Sequence, residues 1–179
     1  MDSDEELYAR VRRGDLAAFD VLYARYETRL FGFILALIKR RADAEDIFHD
    51  AFLRALKSRE VVFDRGGFRT WLYRIARNLA LNSQRSDQRG ARALARLGGG
   101  EEAPPPVDQR LEARELSTAL ENAVLRLPPS LSEIYHLRSS GLSYDEMAVI
   151  LEIPLGTLKS RMNQMVTRLR EELKPWTAR

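Results

Sequence analysis

The segment from Leu142 to Arg161 constrains the fold of this chain more than any other, because it predicts two helices joined by a tight turn. Gly141 closes the preceding helix. Ser143 and Glu146 have the spacing of a capping box, in which each side chain accepts a hydrogen bond from the other residue's backbone N–H. Apolar residues follow at helical spacing. The segment therefore predicts a helix-turn-helix.

The second helix of this motif has residue types suited to DNA. Glu152 and Ile153 turn the chain, and Pro154 takes the first helical position, where a missing N–H costs nothing. On a helical wheel the apolar residues share one side: Leu158, Met162, Met165, Val166, Leu169 and Leu173. Polar and basic residues lie opposite or flank it: Thr157, Lys159, Ser160, Arg161, Asn163 and Gln164. A solvated face is usually richer in Glu and Lys, so we interpret this face as one that contacts a major groove.

Composition excludes several classes of protein. The chain has no cysteine, which removes disulfides, thiolate zinc sites and cysteine nucleophiles. The longest apolar run, residues 31–38, is too short to span a membrane, and the acidic N-terminus does not resemble a signal peptide. We therefore expect a soluble cytoplasmic protein without membrane insertion. The net charge of +3 is modest, but the sequence pI of about 9.4 leaves room for nucleic acid.

No feature of the sequence indicates an enzyme. There is no phosphate loop, metal cluster or nucleophile–base pair, so we predict no catalytic residues, no cofactor and no metal. A lone histidine such as His49 is also compatible with a metal ligand or a base, but the other histidine, His136, is distant in the sequence and no nucleophile stands beside His49.

The chain reads as two small all-helical domains. Residues 89–111 contain a triple glycine and a triple proline, which favour an extended linker over a long loop inside one domain. We therefore predict domains over residues 1–88 and 112–179. In the first domain, Gly14 and Asp15 end one helix and cap the next, Asp43 caps a third, and Phe68 opens a fourth.

The helix that begins at Phe68 combines arginines with aromatic residues. Arginines track phosphates, and aromatic faces replace lost base stacking, so this combination suits single-stranded nucleic acid. The alternative is that Trp71 and Ile75 are simply core residues. The candidates for exposed contacts are Arg69, Arg74, Arg77, Asn78 and Asn82.

Three segments, in order, resemble the extracytoplasmic-function (ECF) sigma factors, which are bacterial sigma factors with only regions 2 and 4. Residues 43–55, DAEDIFHDAFLRA, resemble the segment that docks on RNA polymerase. Residues 68–78, FRTWLYRIARN, resemble the segment that melts and reads the minus-ten element. Residues 141–161 resemble the reader of the minus-thirty-five element. The resemblance covers nearly all of the chain.

The resemblance implies a promoter-specificity factor that binds core RNA polymerase. It assigns the polymerase contact to Asp46, His49, Asp50, Leu53 and Arg54. This sequence departs from the family at two positions of this segment, since the family often has glutamine at the position of His49 and a small aliphatic residue at that of Phe48. The family also implies an anti-sigma factor as a partner, accepted by the apolar faces of the domains.

The resemblance further implies contacts to duplex and melted promoter DNA. Residues 61–67 correspond to a loop that forms a pocket for a base flipped from the non-template strand, and Asn78 matches the asparagine that lines it. The minus-ten set is Phe63, Asp64, Arg69, Trp71, Arg74, Arg77, Asn78 and Asn82. For the minus-thirty-five element, Lys159 and Arg161 suit phosphates or guanine edges, and Asn163 and Gln164 suit adenine.

Two other functions remain open from the sequence. A helix-turn-helix regulator could bind duplex promoters alone, but it would need no base-stacking surface beside its arginines. An anti-sigma or adaptor protein that mimics these helices would leave Lys159 and Arg161 unexplained.

Overall fold

The computed structural model of the chain describes residues 2–58, 63, 66–94 and 111–177. Within these residues it contains eight helices and no strand, which confirms the all-α prediction. The helices are α1 (Asp4–Val11), α2 (Leu16–Ile38), α3 (Arg41–Lys57), α4 (Gly67–Leu94), α5 (Leu111–Leu125), α6 (Pro129–Ser139), α7 (Tyr144–Leu151) and α8 (Leu155–Thr177).

The starts of α2 and α3 show one prediction that is confirmed and one that is wrong. Asp15 caps α2, as predicted, because its side chain accepts a hydrogen bond from the Ala18 backbone N–H at 3.1 Å. Asp43 does not cap α3. The N-cap is Arg40, three residues earlier, and it follows Lys39, which takes a left-handed conformation (φ 66°). Asp43 instead lies in the first turn and pairs with Arg40 at 3.2 Å, where its charge complements the helix dipole.

Helix α1 is tied to α3 and to the start of α4. The Tyr8 hydroxyl donates to the Ala55 carbonyl of α3 at 2.6 Å. The Glu5 carboxylate accepts a hydrogen bond from the Phe68 backbone N–H at 2.9 Å. The first-turn N–H groups of a helix have no acceptor inside the helix, and Glu5 supplies an acceptor for one of them from a distant segment. The N-terminal helix thus fixes where α4 begins, at Gly67, one residue before the predicted start.

The turn between α7 and α8 follows the sequence prediction closely. Ser143 and Glu146 form both hydrogen bonds of the capping box, at 3.2 and 2.7 Å. Glu152 ends α7 in the left-handed conformation (φ 56°). Helix α8 begins at Leu155, one residue later than predicted, and the Pro154 carbonyl accepts a hydrogen bond from the Leu158 N–H at 3.0 Å. A helix-turn-helix is therefore present.

The N-terminal and C-terminal halves pack against one another. Helix α7 lies against α4, and α6 lies against α2, so that the buried residues form one continuous cluster through both halves. Helix α4 reaches Leu94, so residues 89–94 of the predicted linker are helical, and residues 95–110 lie outside the described residues. This packing sets which side chains of α4 face solvent.

Candidate nucleic-acid interface

The exposed face of α8 carries the polar side chains that the sequence places there. Leu158, Met162 and Met165 are buried and hold the helix on the C-terminal core. Of the six predicted contact residues, Arg161 is half-buried on the flank. The other five are exposed: Thr157, Lys159, Ser160, Asn163 and Gln164. No ion pair within the described residues engages Lys159 or Arg161, so both cations are available to phosphates or guanine edges.

A second surface is an open pocket between the end of α3 and the middle of α4. It has a volume of about 430 Å³. Its lining combines one aromatic ring, one amide, one hydroxyl and two cations, and consists of Arg54, Lys57, Ser58, Trp71, Ile75 and Asn78. Cations suit phosphates, an indole face suits a stacked base, and an amide suits a base edge. The pocket is therefore chemically suited to one unpaired nucleotide.

Trp71 and Phe63 belong partly to the core. The Trp71 ring centroid lies 5.8 Å from those of both Tyr8 and Phe63, and 5.9 Å from that of Phe68. The sequence left open whether Trp71 is a core residue or a nucleic-acid contact. Its ring packs in an aromatic cluster and also lines the pocket, so the structure is compatible with both. Asp64, the other predicted contact in this loop, lies outside the described residues.

A third surface is the outward stripe of α3. Asp46, His49, Asp50 and Leu53 are exposed on it, above a buried side that includes Phe48 and Phe52. His49 Nε2 lies 3.2 Å from the Tyr23 hydroxyl, and the two rings stack. Within the described residues, neither aspartate has an ion-pair partner. Arg54 lies on the flank of the stripe that faces α4 and lines the pocket.

The sequence prediction that Arg69 and Arg77 are exposed is wrong. Arg77 donates to Glu133 of α6 through Nε at 2.6 Å and Nη2 at 3.3 Å. Arg69 donates through Nη2 to the Ser140 carbonyl at 2.7 Å, and its Nη1 lies 3.8 Å from the Glu146 carboxylate. Both arginines lie on the side of α4 that the C-terminal half covers. Asn78 and Asn82 are exposed, as predicted, and Arg74 is half-buried.

Burial also affects the tyrosine between these arginines. Tyr73 is almost fully buried, and its hydroxyl has no hydrogen-bond partner within the described residues. Burial raises the pKa of Tyr73, and this effect outweighs the opposing influences of the nearby Ser140 side chain, whose geometry falls short of a hydrogen bond, and of the cations Arg69 and Arg29. The tyrosine is therefore neutral at physiological pH and contributes packing, not charge.

Two family models match the chain. Sigma-70 region 2 matches residues 22–90, and Sigma-70 region 4 matches residues 117–169. The ECF RNA polymerase sigma-E factor of Escherichia coli K12 is 31% identical, with 89% of this chain and 88% of that protein covered. The chain belongs to the extracytoplasmic-function sigma factors of the sigma-70 family. It is a transcription initiation factor and not an enzyme.

Two further comparisons agree with this assignment. The RNA polymerase sigma-H factor of Pseudomonas aeruginosa is 29% identical, with 97% of this chain and 95% of that protein covered. A crystallised complex of the sigma factor RpoE with the anti-sigma factor NepR from Bartonella quintana matches with a TM-score of 0.68 at 25% identity. That match covers 87% of this chain and 96% of the matched chain. In this sigma factor, α1–α4 thus contain region 2, and α5–α8 contain region 4.

Several residues of this sigma factor that shape the interface were not anticipated from its sequence. Glu5 acts on α4 across 63 positions of sequence, and no local pattern could have indicated it. Lys57 and Ser58 join the pocket because α3 ends beside α4. Glu133 did have a signal. It precedes Leu137 by four residues, so it lies on the apolar stripe of α6, where an acidic residue needs a partner.

Within the described residues, this sigma factor has neither a candidate metal site nor a candidate membrane span. These residues contain no cluster of three or more histidine or acidic side chains that could hold a metal ion. Among the helices of the described part, none is long and apolar enough to cross a membrane.

Proposed function

We propose that this sigma factor uses its three surfaces for three partners. The α3 stripe holds core RNA polymerase, the pocket between α3 and α4 takes one unpaired base of the minus-ten element, and α8 reads the minus-thirty-five duplex. The observation that carries the proposal is the pocket, because it joins an aromatic wall, an amide and two cations. A regulator that binds duplex DNA alone needs no such pocket.

In this proposal the pocket both favours melting of the promoter and selects the base that is flipped out. Flipping a base out of the duplex costs a few kcal/mol, and stacking on Trp71 with hydrogen bonds to Asn78 recovers that energy for a fitting base. Arg54 and Lys57 lie at the pocket without ion-pair partners within the described residues, and they hold the phosphates on either side. Arg54 thus contacts the melted strand, although the family resemblance assigned it to the polymerase. The exposed Asn82 extends this strand contact along α4.

The polymerase contact rests on exposure and charge. Asp46 and Asp50 are one turn apart on α3, are exposed and lack ion-pair partners in the described part of the chain. Leu53, 48% exposed, adds an apolar centre one turn further on. An exposed leucine beside two carboxylates suits a partner helix with apolar and basic residues.

An anti-sigma factor is a further partner. A groove of about 450 Å³ between α1, the start of α2 and the end of α3 is lined by four apolar and four polar or charged residues, and its Leu16 is 78% exposed. The other apolar residues of the groove are Val11, Phe19 and Leu56. An amphipathic helix laid into this groove would reach Leu53 and exclude the polymerase. Such a partner is supported by the complex of the Bartonella quintana relative with an anti-sigma factor.

The experiment that tests the proposal is transcription in vitro. Core bacterial RNA polymerase is run on a pool of genomic promoter fragments, with and without the protein, and transcript starts are mapped. We expect discrete starts that depend on the protein and share two spaced elements. The change Asn78→Ala should lower these starts about tenfold, which corresponds to roughly 1–3 kcal/mol for one base contact. The matched control, Asn122→Ala on the exposed face of α5, should leave them unchanged.

The same experiment has outcomes that contradict the proposal. Starts that are equally frequent with Asn78→Ala would remove the pocket from promoter melting. Absence of any protein-dependent start, together with tight binding of duplex promoters by the protein alone, would favour the stand-alone regulator.

A further inference from the structure

Helix α1 supplies a hydrogen-bond partner to each of the two helix ends that flank the pocket. The last carbonyls of a helix and its first N–H groups have no partner inside the helix. At the end of α3, the Tyr8 hydroxyl donates to the Ala55 carbonyl at 2.6 Å. At the start of α4, the Glu5 carboxylate accepts a hydrogen bond from the Phe68 N–H at 2.9 Å. Because Glu5 and Tyr8 are three residues apart in the sequence, a single face of α1 holds both ends.

The ring of Tyr8 also contacts the α4 wall of the pocket. Its centroid lies 5.8 Å from that of Trp71 with the planes at 65°, which is the edge-to-face arrangement that aromatic rings favour. Phe63 and Phe68 complete the cluster, with centroids 5.6 and 5.0 Å from that of Tyr8. Trp71 is half-buried and lines the pocket. The Tyr8 ring therefore fixes the orientation of the indole on which a base would stack.

The hydroxyl of Tyr8 fixes the opposite wall. The pocket residues of α3 lie on either side of Ala55 in the sequence and are Arg54, Lys57 and Ser58. The Ser58 backbone N–H and hydroxyl both donate to the Arg54 carbonyl, at 3.1 and 2.9 Å, whereas the next carbonyl, that of Ala55, is bound by Tyr8. A buried carbonyl that loses its donor is costly, so without this hydroxyl the last turn of α3 would loosen towards water. The two cations of the pocket would move with it.

Tyr8 itself lies behind the pocket. It is 3% exposed and is not one of the residues that line the pocket. Burial raises the pKa of Tyr8, and this effect outweighs the opposing influence of the Arg12 charge. The hydroxyl therefore keeps its proton at physiological pH and remains a donor to the Ala55 carbonyl.

We infer that Tyr8 is a positioning residue of the base pocket, which ties the α3 wall to the α4 wall and so sets the spacing on which base selection depends. This inference rests on the proposed function, since it treats the pocket as the minus-ten site. A pocket selects one base only when its stacking face and its polar groups are held in a fixed relative geometry. The effect of Tyr8 on DNA passes through Trp71 and through the end of α3.

Promoter selection by the holoenzyme tests this inference with the removal of a single atom. Tyr8→Phe deletes the hydroxyl and keeps the ring with its aromatic contacts. Core polymerase loaded with the variant is run on a library of a mapped promoter that carries all four bases at every minus-ten position. At the position that the pocket reads, the ratio of starts with the preferred base to starts with the other three should fall about fivefold, within the range that one base contact provides. Loss of folded protein lowers all starts in a reaction alike and leaves this ratio unchanged.

The matched control removes a buried hydroxyl of the same kind from another contact of α1. The Tyr26 hydroxyl donates to the Asp4 carboxylate and ties α1 to α2. In Tyr26→Phe this hydrogen bond is lost, but Arg25 still holds Asp4 at 2.7 Å, so α1 stays in place. Both variants should lower the melting temperature, and only Tyr8→Phe should lower the ratio.

Amide hydrogen exchange shows where the structure changes. In Tyr8→Phe, the peptide that contains the last turn of α3, residues 54–58, should exchange about tenfold faster than in the wild type, as expected for the loss of one hydrogen bond. In Tyr26→Phe the same peptide should exchange at the wild-type rate.

Three results would overturn the inference. The first is a wild-type ratio in Tyr8→Phe, and the second is unchanged exchange of residues 54–58 in that variant. The third is an equal fall of the ratio in Tyr26→Phe, which would assign the effect to a general loosening of α1. Wild-type holoenzyme that prefers no base at any minus-ten position would instead contradict the proposed function, so the two failures are distinguishable.

Discussion

Single side chains decide where helix α4 begins. Glu5 accepts a hydrogen bond from the Phe68 N–H, and its carboxylate complements the positive end of the helix dipole. Gly67, at φ +66°, leaves the space that this carboxylate fills, since a Cβ there would lie 2.2 Å from Glu5 Oε1. The N-terminal helix of the protein therefore sets the start, and with it the register, of a helix 62 residues later.

We predict that Glu5→Ala lowers the free energy of unfolding by about 1 kcal/mol, the usual worth of a helix cap. For a chain of this size, the melting temperature should fall by roughly 2–4 °C. Thermal unfolding followed by circular dichroism measures this fall. Glu27→Ala, at an exposed position in the middle of α2, is the control and should change the melting temperature little. Equal melting temperatures for the two variants would show that Glu5 does not cap α4.

Gln164 is predicted to read one base pair of the minus-thirty-five element. Gln164→Ala should cost roughly 1–3 kcal/mol at a single promoter position and nothing at the others. A phosphate contact carries no sequence information, so Lys159→Gln should weaken all sequences alike where Lys159 holds a phosphate, whereas a contact to a guanine edge would confine the loss to one position. Transcription from a library of minus-thirty-five variants separates the two patterns. A uniform loss for Gln164→Ala would refute this assignment.

Helix α3 works as a two-sided element. Its buried side, with Phe48 and Phe52, anchors it in region 2, and its outward stripe is left to a partner. We predict that Asp46→Asn combined with Asp50→Asn weakens binding of core polymerase about tenfold or more, with little change in melting temperature. The control is Glu45→Gln, whose carboxylate already pairs with Arg41 at 2.9 Å. Competition against a labelled reference sigma factor measures the affinity, and an unchanged affinity would contradict the proposed stripe.

Helix α6 makes stability depend on pH through His136. Burial lowers the pKa of His136 below its ordinary value of 6.5, so the folded protein binds fewer protons than the unfolded chain between these two pKa values. Stability is therefore fully present above about pH 6.5 and falls as the pH drops towards the lowered pKa, by at most about 1.4 kcal/mol per pH unit.

Urea unfolding at several pH values between 5 and 7.5 checks the effect of His136. The variant His136→Gln should show a shallower dependence of unfolding free energy on pH than the wild type. If the unfolding free energy depends on pH identically in both proteins, the pH dependence comes from titratable groups other than His136.

We expect the chain as a whole to join two weak DNA readers whose combined selectivity depends on the distance between their promoter elements. Bound to polymerase, each reader raises the effective concentration of the other at its own element. We predict that inserting five base pairs between the two elements of a mapped promoter lowers start frequency at least tenfold, because it rotates one element by about half a helical turn. Ten inserted base pairs return the two elements to the same face of the DNA but leave them further apart than in the original promoter. Starts that persist undiminished at both spacings would argue against joint recognition.

Much of the fold was predictable because its signals are local. The capping box of Ser143 and Glu146, the turn at Glu152 and the cap at Asp15 each depend on residues a few positions apart, and all were found where predicted. The polar face of α8 follows from the same helical periodicity. Prediction of the start of α3 failed because backbone geometry at Lys39, not the residue type of Asp43, decided it.

The roles of the α4 side chains were decided by tertiary structure. The sequence showed one helix rich in arginine and aromatic residues, and the fold divides it into a pocket face with Asn78 and a covered edge with Arg69 and Arg77. Glu133 lies 56 residues from Arg77, and no periodicity links them. Local hydrogen bonding and helical spacing thus specified the helices and their polar faces, because both depend on neighbours in the chain. Which polar face stays open to a partner depends on what packs over it, and that is a property of contacts between distant segments.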